Sequence, residues 1–518
     1  MRVRADILRT YQGVHTWTGI IAGLVLFIGF YAGSLTMFKH ELAQWANPAS
    51  APVTKPHTNN HQTLVDQAIT KYPEQMGNGF SLDLLTNQAP LSWYSQGKER
   101  GMKLDNQLQV LYLNQQNDLV IQQQSENKLA DLIDYLHRTA GFAGEIGHDQ
   151  SGVYILGIAS ALYFLALVSG VIILLPTLVK TFFAIRKEKG ASRFWLDSHN
   201  LVGIASLPFH LIIAFTVVVF AFHDLVYDGL SAFYDDKSFF QRPAPAAHNY
   251  HIANLPSINK QLLAAKNYAP GYEPIHITFS RLNTNSPTAT LKMSNSSAVV
   301  RGPDTDYLFL HPYTLEVLNS SYPQGDDGVW GNIVGSFFSL HFGTYGGEWG
   351  RWGYFVMGLL GAFLFYSGNL LWLDKRFKQD ANKRSIRFMA NLTIGVCLGS
   401  MIAVVATLLQ AKWTNQYMGN ANYSYLYSYY LVFFAFVAYT FFKGTHHASY
   451  WGLMGIAFLS AGMGVSTLIQ ALLADDFLKY YQSGFVDISA AVFALIFYYC
   501  AKKVRNKSVS YAVIPAKL

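Results

Sequence analysis

Eight apolar runs, each long enough to cross a bilayer core of about 30 Å, constrain this chain more than any other feature. They fall near 17–38, 153–176, 200–222, 352–373, 390–410, 427–442, 451–473 and 485–501. Backbone polar groups in hydrocarbon must be satisfied within the segment, so runs of this length are expected as helices. The expected fold class is a membrane all-α polytopic bundle of about eight spans. Only 13% of the 518 residues are charged, while 15% are aromatic, a balance that fits membrane burial.

Basic residues sort to one side of this arrangement. Arg2, Arg4 and Arg9 precede the first run, and Lys180, Arg186, Lys187, Lys189 and Arg193 lie between the second and third. Lys375, Arg376, Lys378, Lys383, Arg384 and Arg387 follow the fourth, Lys443 the sixth, and Lys502, Lys503, Arg505 and Lys507 the eighth. Positive charge is retained on the cytoplasmic face, so both termini are expected there. The net charge of +7 is thus a topology signal and gives no reason to expect nucleic-acid binding. The first run is too long for a signal-peptide core and reads as an uncleaved anchor. The two cysteines, Cys397 and Cys500, lie inside runs, which excludes a disulfide framework, an all-cysteine iron–sulfur cluster and covalent haem attachment.

A repeat runs through the first 375 residues. Two polar segments, about 41–135 and about 224–335, each carry a helix followed by alternating, strand-like runs. In the first these are Leu64 to Lys71, then Leu82–Leu85, Leu91–Tyr94, Gln109–Leu113 and Leu119–Ile121. In the second they are Ile258 to Lys266, then His276–Phe279, Ala289–Met293, Tyr307–His311 and Leu315–Leu318. Each segment ends in a Leu-His pair, Leu136-His137 or Leu340-His341, and a run follows. The boundaries are 1–40 for the first span, 41–135 for the first external domain and 136–223 for spans two and three. The second external domain covers 224–335, the fourth span 336–375, and a four-span extension 376–518. Within that extension Asn415 to Tyr430 reads as an external, tyrosine-rich loop.

Four histidines occupy matched positions. His15 and His199 mark the inner ends of spans, and His137 and His341 precede inward-running ones. Two neutral imidazoles can close both axial positions of a haem iron, an arrangement suited to electron transfer. The expected sites are an inner haem b on His15 and His199 and an outer haem b on His137 and His341. His210 is an alternative inner ligand. It lies eleven residues beyond His199 on nearly the same helix face, roughly 16 Å deeper, after Pro208. Arg138 and Arg351 are candidates for neutralising haem propionates. Glycines 19, 23, 29, 33, 358 and 361 offer room for a flat macrocycle or for close helix contact.

Several of these residues carry a family resemblance: Gly13-Val-His15-Thr-Trp-Thr-Gly19 with Gly33-Ser-Leu-Thr-Met-Phe38, Leu136-His137-Arg138, Asp197-Ser-His199 with Gly203 and Pro208, and Leu340-His341-Phe-Gly343. Together they resemble the PepSY-associated transmembrane family, the iron-regulated membrane proteins that include inner-membrane siderophore reductases. The resemblance covers about 1–375. It implies a four-helix core binding haem b, two small α+β PepSY-like periplasmic domains, and reduction of a periplasmic ferric siderophore with release of Fe(II). No dinucleotide fingerprint or P-loop is present, and the cytoplasmic loops are too short for a flavin domain. A quinol or a separate cytoplasmic reductase is therefore the expected electron donor. Two other classes stand beside this reading. One is a non-enzymatic PepSY module that binds or regulates a periplasmic partner. The other is a transporter, against which both copies run in the same orientation without an evident intramembrane carboxylate.

Overall fold

The computed structural model describes residues 4–47, 61–85, 90–95, 102–147, 149–178, 185–233, 246–295, 297–298, 300–302, 305–321, 328–379, 383–474 and 484–506. Two compact units emerge. The first joins Met1–Pro48, Asn127–Leu225 and Trp352–Leu518; the second joins Ala49–Glu126 and Val226–Arg351.

Among the described residues, eight helices have the length and apolarity of membrane spans. They are Ala5–Thr36, Ser151–Leu174, Leu207–Val226, Gly347–Gln379, Arg384–Asn415, Asn422–Lys443, Thr445–Ala474 and Gly484–Arg505. The chain is a multi-pass membrane protein. The first helix begins at Ala5, well before its apolar run, so His15 lies inside it and not at its mouth. The third span is preceded by a helix at Ala191–Ala205, and Ser206 interrupts the two. Pro208 has no amide hydrogen to offer the carbonyl of Ile204, which accounts for the interruption. His199 sits on the first piece and His210 on the second.

Two expectations are corrected here. The stretch Asn415 to Tyr430 is mostly helical: one helix runs to Tyr417 and the next starts at Asn422. Its polar groups have inward partners. The Lys128 amide donates to the Asn422 side chain at 2.9 Å, and Asn127 Nδ2 donates to the Tyr425 hydroxyl at 3.2 Å. Tyr425 and Tyr429 are both buried. The spans also include a carboxylate. Asp487, in the first turn of the eighth, accepts from Trp45 Nε1 and from Thr467 Oγ1, each at 2.8 Å. Lys412 lies 3.9 Å over the Trp45 ring and donates to the Trp45 carbonyl at 3.2 Å. A cation and an anion thus meet around one fully buried indole, an arrangement that hydropathy cannot reveal.

The second unit contains an eight-stranded antiparallel sheet. We number its strands β1 (Gly79–Asp83), β2 (Leu91–Tyr94), β3 (Gln107–Leu113), β4 (Leu119–Ser125), β5 (Glu273–Ser280), β6 (Thr288–Ser294), β7 (Asp306–Leu310) and β8 (Val317–Ser320). Their order is β8-β7-β6-β5-β1-β2-β3-β4. The two α+β repeats therefore share one sheet, joined by β1 and β5 in the register Gly79↔Ser280 to Asp83↔His276. Each copy runs outward from that central pair as a meander, which relates the copies by a pseudo-two-fold axis. Alternation decides which face is covered: Ala289, Leu291 and Met293 of β6 are buried, while Thr288, Thr290 and Lys292 are not. Helices His61–Lys71 and Ile258–Tyr268 contribute Leu64, Val65, Ala68, Ile258 and Ala265 to the same core. The last strand begins at Val317 and not at Leu315, whose φ of 64° places it in a turn.

Candidate cofactor site

Within the first unit the structure brings His15 and His199 together. Their ring centroids are 6.3 Å apart and their planes are inclined at 80°. Metal–imidazole bonds are about 2.0–2.1 Å long, and a ring centroid lies about 1 Å behind its nitrogen. Two imidazoles on one metal therefore place their centroids roughly 6 Å apart. Among the described residues no group of three or more His, Cys, Asp or Glu could hold a bare metal ion. A pair of imidazoles at this separation instead suits a metal whose remaining positions come from a macrocycle, as in bis-histidine haem.

Both rings are oriented through Nδ1. His15 Nδ1 donates to the Ala166 carbonyl at 2.8 Å. His199 Nδ1 is 2.9 Å from Ser367 Oγ, whose own proton goes to the Leu364 carbonyl, so the imidazole is the donor. An Nδ1–H committed in this way leaves the Nε2 lone pair for a metal and fixes the ring plane.

Small residues make these seats. A Cβ added at Gly170 would lie 3.1 Å from His15 Cε1, and one at Gly368 would lie 3.4 Å from His199 Cε1. Gly170 stands one turn beyond Ala166, so His15 bonds a carbonyl and lies over the glycine that follows it. His137 repeats this arrangement on the first span. Its Nδ1 is 2.9 Å from the Gly29 carbonyl, and a Cβ at Gly33 would be 2.6 Å from that nitrogen. Gly33 thus gives room to an imidazole, not to a macrocycle edge. Gly358 and Gly361 face Ser34 and Phe30 of the first span, and Gly361 also faces His210.

His210 is different in kind. It is 0% exposed, and neither ring nitrogen has a hydrogen-bond partner. Phe30, Tyr163 and Phe209 surround it at centroid distances of 5.7, 6.0 and 5.2 Å. A buried polar group left without a partner calls for an explanation, and a ligand is one. His199, however, is the residue that meets His15.

The sequence of the membrane core matches known proteins in the same place. The family described as the PepSY-associated TM region matches residues 12–375. The chain belongs to this family. A 240-residue stretch is also 26% identical to an uncharacterised protein of Pseudomonas aeruginosa, covering 43% of this chain and 59% of that protein. The chain thus spans somewhat under two thirds of that relative's length. The family match ends at 375, where the duplicated core ends, and all of the last four spans lie beyond it.

The remaining candidates of this PepSY-associated membrane protein fall in several places. His341 belongs to the second unit, on helix Gly328–Phe342, with its ring 5.6 Å from that of Phe342. Arg138 is ion-paired with Asp134 at 3.0 Å and Arg351 with Glu348 at 2.8 Å, so each guanidinium already has a carboxylate one turn away. Sequence reasoning passed over the residues that orient the rings: Ala166, Gly170, Ser367 and Gly368. It also missed a clamp two residues before His199. The buried Asp197 carboxylate accepts from Arg186 Nε and Nη2 at 2.9 and 2.7 Å and from the Arg186 amide at 3.1 Å. Arg193 pairs with it at 3.2 Å. Hydrogen bonding from Arg186 holds the Asp197 carboxyl below its ordinary value, against the opposing effect of burial. The clamp ties the loop end at Arg186 to the helix that carries His199.

Proposed function

We propose that this chain is an inner-membrane, b-type haem electron-transfer protein that reduces a ferric siderophore on the periplasmic side and releases Fe(II). The observation that carries this reading is the His15–His199 pair, 6.3 Å between centroids, with Nδ1 of each ring held by another helix. Haem held there by two imidazoles would supply one-electron transfer. His15 and His199 would present Nε2 to the iron, Ala166 and Ser367 would fix the two ring planes, and Asp197 would hold the His199 helix in place. His137 would serve as a ligand of a second haem in this reading, which would divide a path of about 30 Å into shorter steps. His137 enters it already oriented through the Gly29 carbonyl. The siderophore, the direction of transfer and the sidedness come from the family resemblance and the basic loops.

Replacing His15 or His199 with alanine and counting haem per chain tests the proposal. Loss of about half of the bound haem in either variant is expected, with the remaining haem lost from His137→Ala. Unchanged haem content in all of these variants would refute it.

A further inference from the structure

Between the family core and the last four spans the first unit contains a cavity of about 1010 Å³. Its wall draws on the first and fourth spans of the core and on the fifth, seventh and eighth spans of the extension. One end lies at Lys187, Phe194 and Lys503, and the other at Phe38, Trp352 and Phe485. On the eighth span alone the wall runs from Phe485 to Val504, about 28 Å of helix rise.

The wall is almost wholly aliphatic and aromatic, with its few polar groups grouped at particular levels. One level adjoins the inner histidine. Trp195 precedes His199 by one helical turn, and Tyr366 precedes Ser367, the residue bonded to His199 Nδ1. The two rings meet at 6.5 Å between centroids, and both line the cavity. The Tyr366 hydroxyl lines the cavity together with the Cys397 and Cys500 thiols, which lie near enough to interact with it electrostatically. Cys397 and Cys500, the two cysteines of the chain, also line the wall.

We propose that this cavity binds a prenylated quinol, with its isoprenoid tail along the apolar shaft and its ring at Tyr366 beside Trp195. A long apolar tail matches the length of the shaft, and a carbonyl or hydroxyl of the ring can hydrogen-bond the Tyr366 hydroxyl that lines it. The location gives the extension a purpose: it closes a donor site onto the core. Oxidation of the quinol to quinone releases two electrons and two protons. Two ferric chelates take up one electron each and become ferrous, and the protons leave to water at the mouth lined by Lys187 and Lys503. The electron destination rests on the haem reading above, whereas quinol binding does not.

The experiment measures binding first. Chain purified in mild detergent is extracted and its prenyl quinone quantified against protein and haem. About one quinone per chain is expected. Ala362→Trp and Ala490→Trp, which fill the shaft from the core side and the extension side, should each lower it at least tenfold with haem content unchanged. A water-soluble short-chain quinol should also slow alkylation of Cys397 and Cys500 by N-ethylmaleimide at least fivefold in the unmodified chain. Extraction of phospholipid alone, quinone retained by both filled variants, or alkylation indifferent to the quinol would each overturn the proposal. Haem content, read separately, reports on the haem assignment, so the two can fail independently.

Discussion

The first four spans and the last four both bury polar side chains in an apolar bundle, yet they do so with different chemistry. In the first four, imidazoles are inside: His15 and His199 face each other with Nδ1 engaged, and His210 is enclosed by aromatic rings. In the last four, the histidines are His446 and His447, in the first turn of the seventh span with His447 exposed. The charged pair there is Lys412 and Asp487, joined around Trp45. Seats differ in the same way. Gly170, Gly368 and Gly33 stand against imidazoles, whereas Gly395, Gly399 and Gly452 stand against the side chains of Val437, Phe433 and Phe436. A core that orients imidazoles and an extension that lines an apolar cavity are separable by substitution.

The largest effect is expected from the ligands themselves. His15→Ala and His199→Ala should each remove about half of the haem, whereas His446→Ala should remove none, as measured by the pyridine haemochrome spectrum. Steric loss of a seat comes next. Gly170→Leu should push the His15 ring out of register and weaken haem retention about tenfold. Gly455→Leu in the seventh span, where an added Cβ meets nothing within 4 Å, is the matched control and should leave haem content intact. Equal loss in both would erase the distinction between core and extension.

Tyr366→Phe removes one hydroxyl at the boundary between the two regions. Half-saturation by a short-chain quinol should rise about three- to tenfold with dithionite-reduced spectra unchanged, since one hydrogen bond contributes about 1 kcal/mol. His210→Leu is smaller still and opposite in sign. Replacing an imidazole that lacks partners on both nitrogens should stabilise the folded chain by about 1 kcal/mol in a thermal shift, with haem content kept. Haem loss in this variant would instead make His210 a ligand.

Asp197 gives the smallest effect, one present at neutral pH and lost in acid. Its carboxyl is held below the unfolded value of about 3.9 by the Arg186 hydrogen bonds. The stability it contributes is therefore present above that value and lost as pH falls through the lower, folded one. Asp197→Asn should lower the melting temperature at pH 7 and flatten its fall below pH 4. A variant with an unaltered acid limb would remove the clamp from the account.

Much of this division was legible in the residues. Span positions followed from hydropathy, because hydrocarbon forces backbone bonds into the segment. The duplicated α+β order was visible in alternation, and it places each helix and most of the strands. Joining of the two copies through β1 and β5 was not visible, since edge pairing leaves no mark in either copy's own pattern. The Asn415–Tyr430 stretch misled for a related reason: its polar side chains bond to Asn127 and Lys128, so composition resembled a loop where tertiary partners hold a helix. His15 and His199 were matched by their places at span ends. The ring-orienting residues Ala166 and Ser367 act through a carbonyl and a hydroxyl that carry no periodic signal. The cavity was equally hidden, because its walls read as ordinary span residues.

The central claim is that the core holds haem on opposed imidazoles. A reduced-minus-oxidised absorption spectrum of the purified chain, with haem counted per protein, tests it most directly. Sharp b-type bands at about two haems per chain, falling to about one in His199→Ala, are the predicted result. A colourless preparation that is fully folded by circular dichroism would contradict the claim.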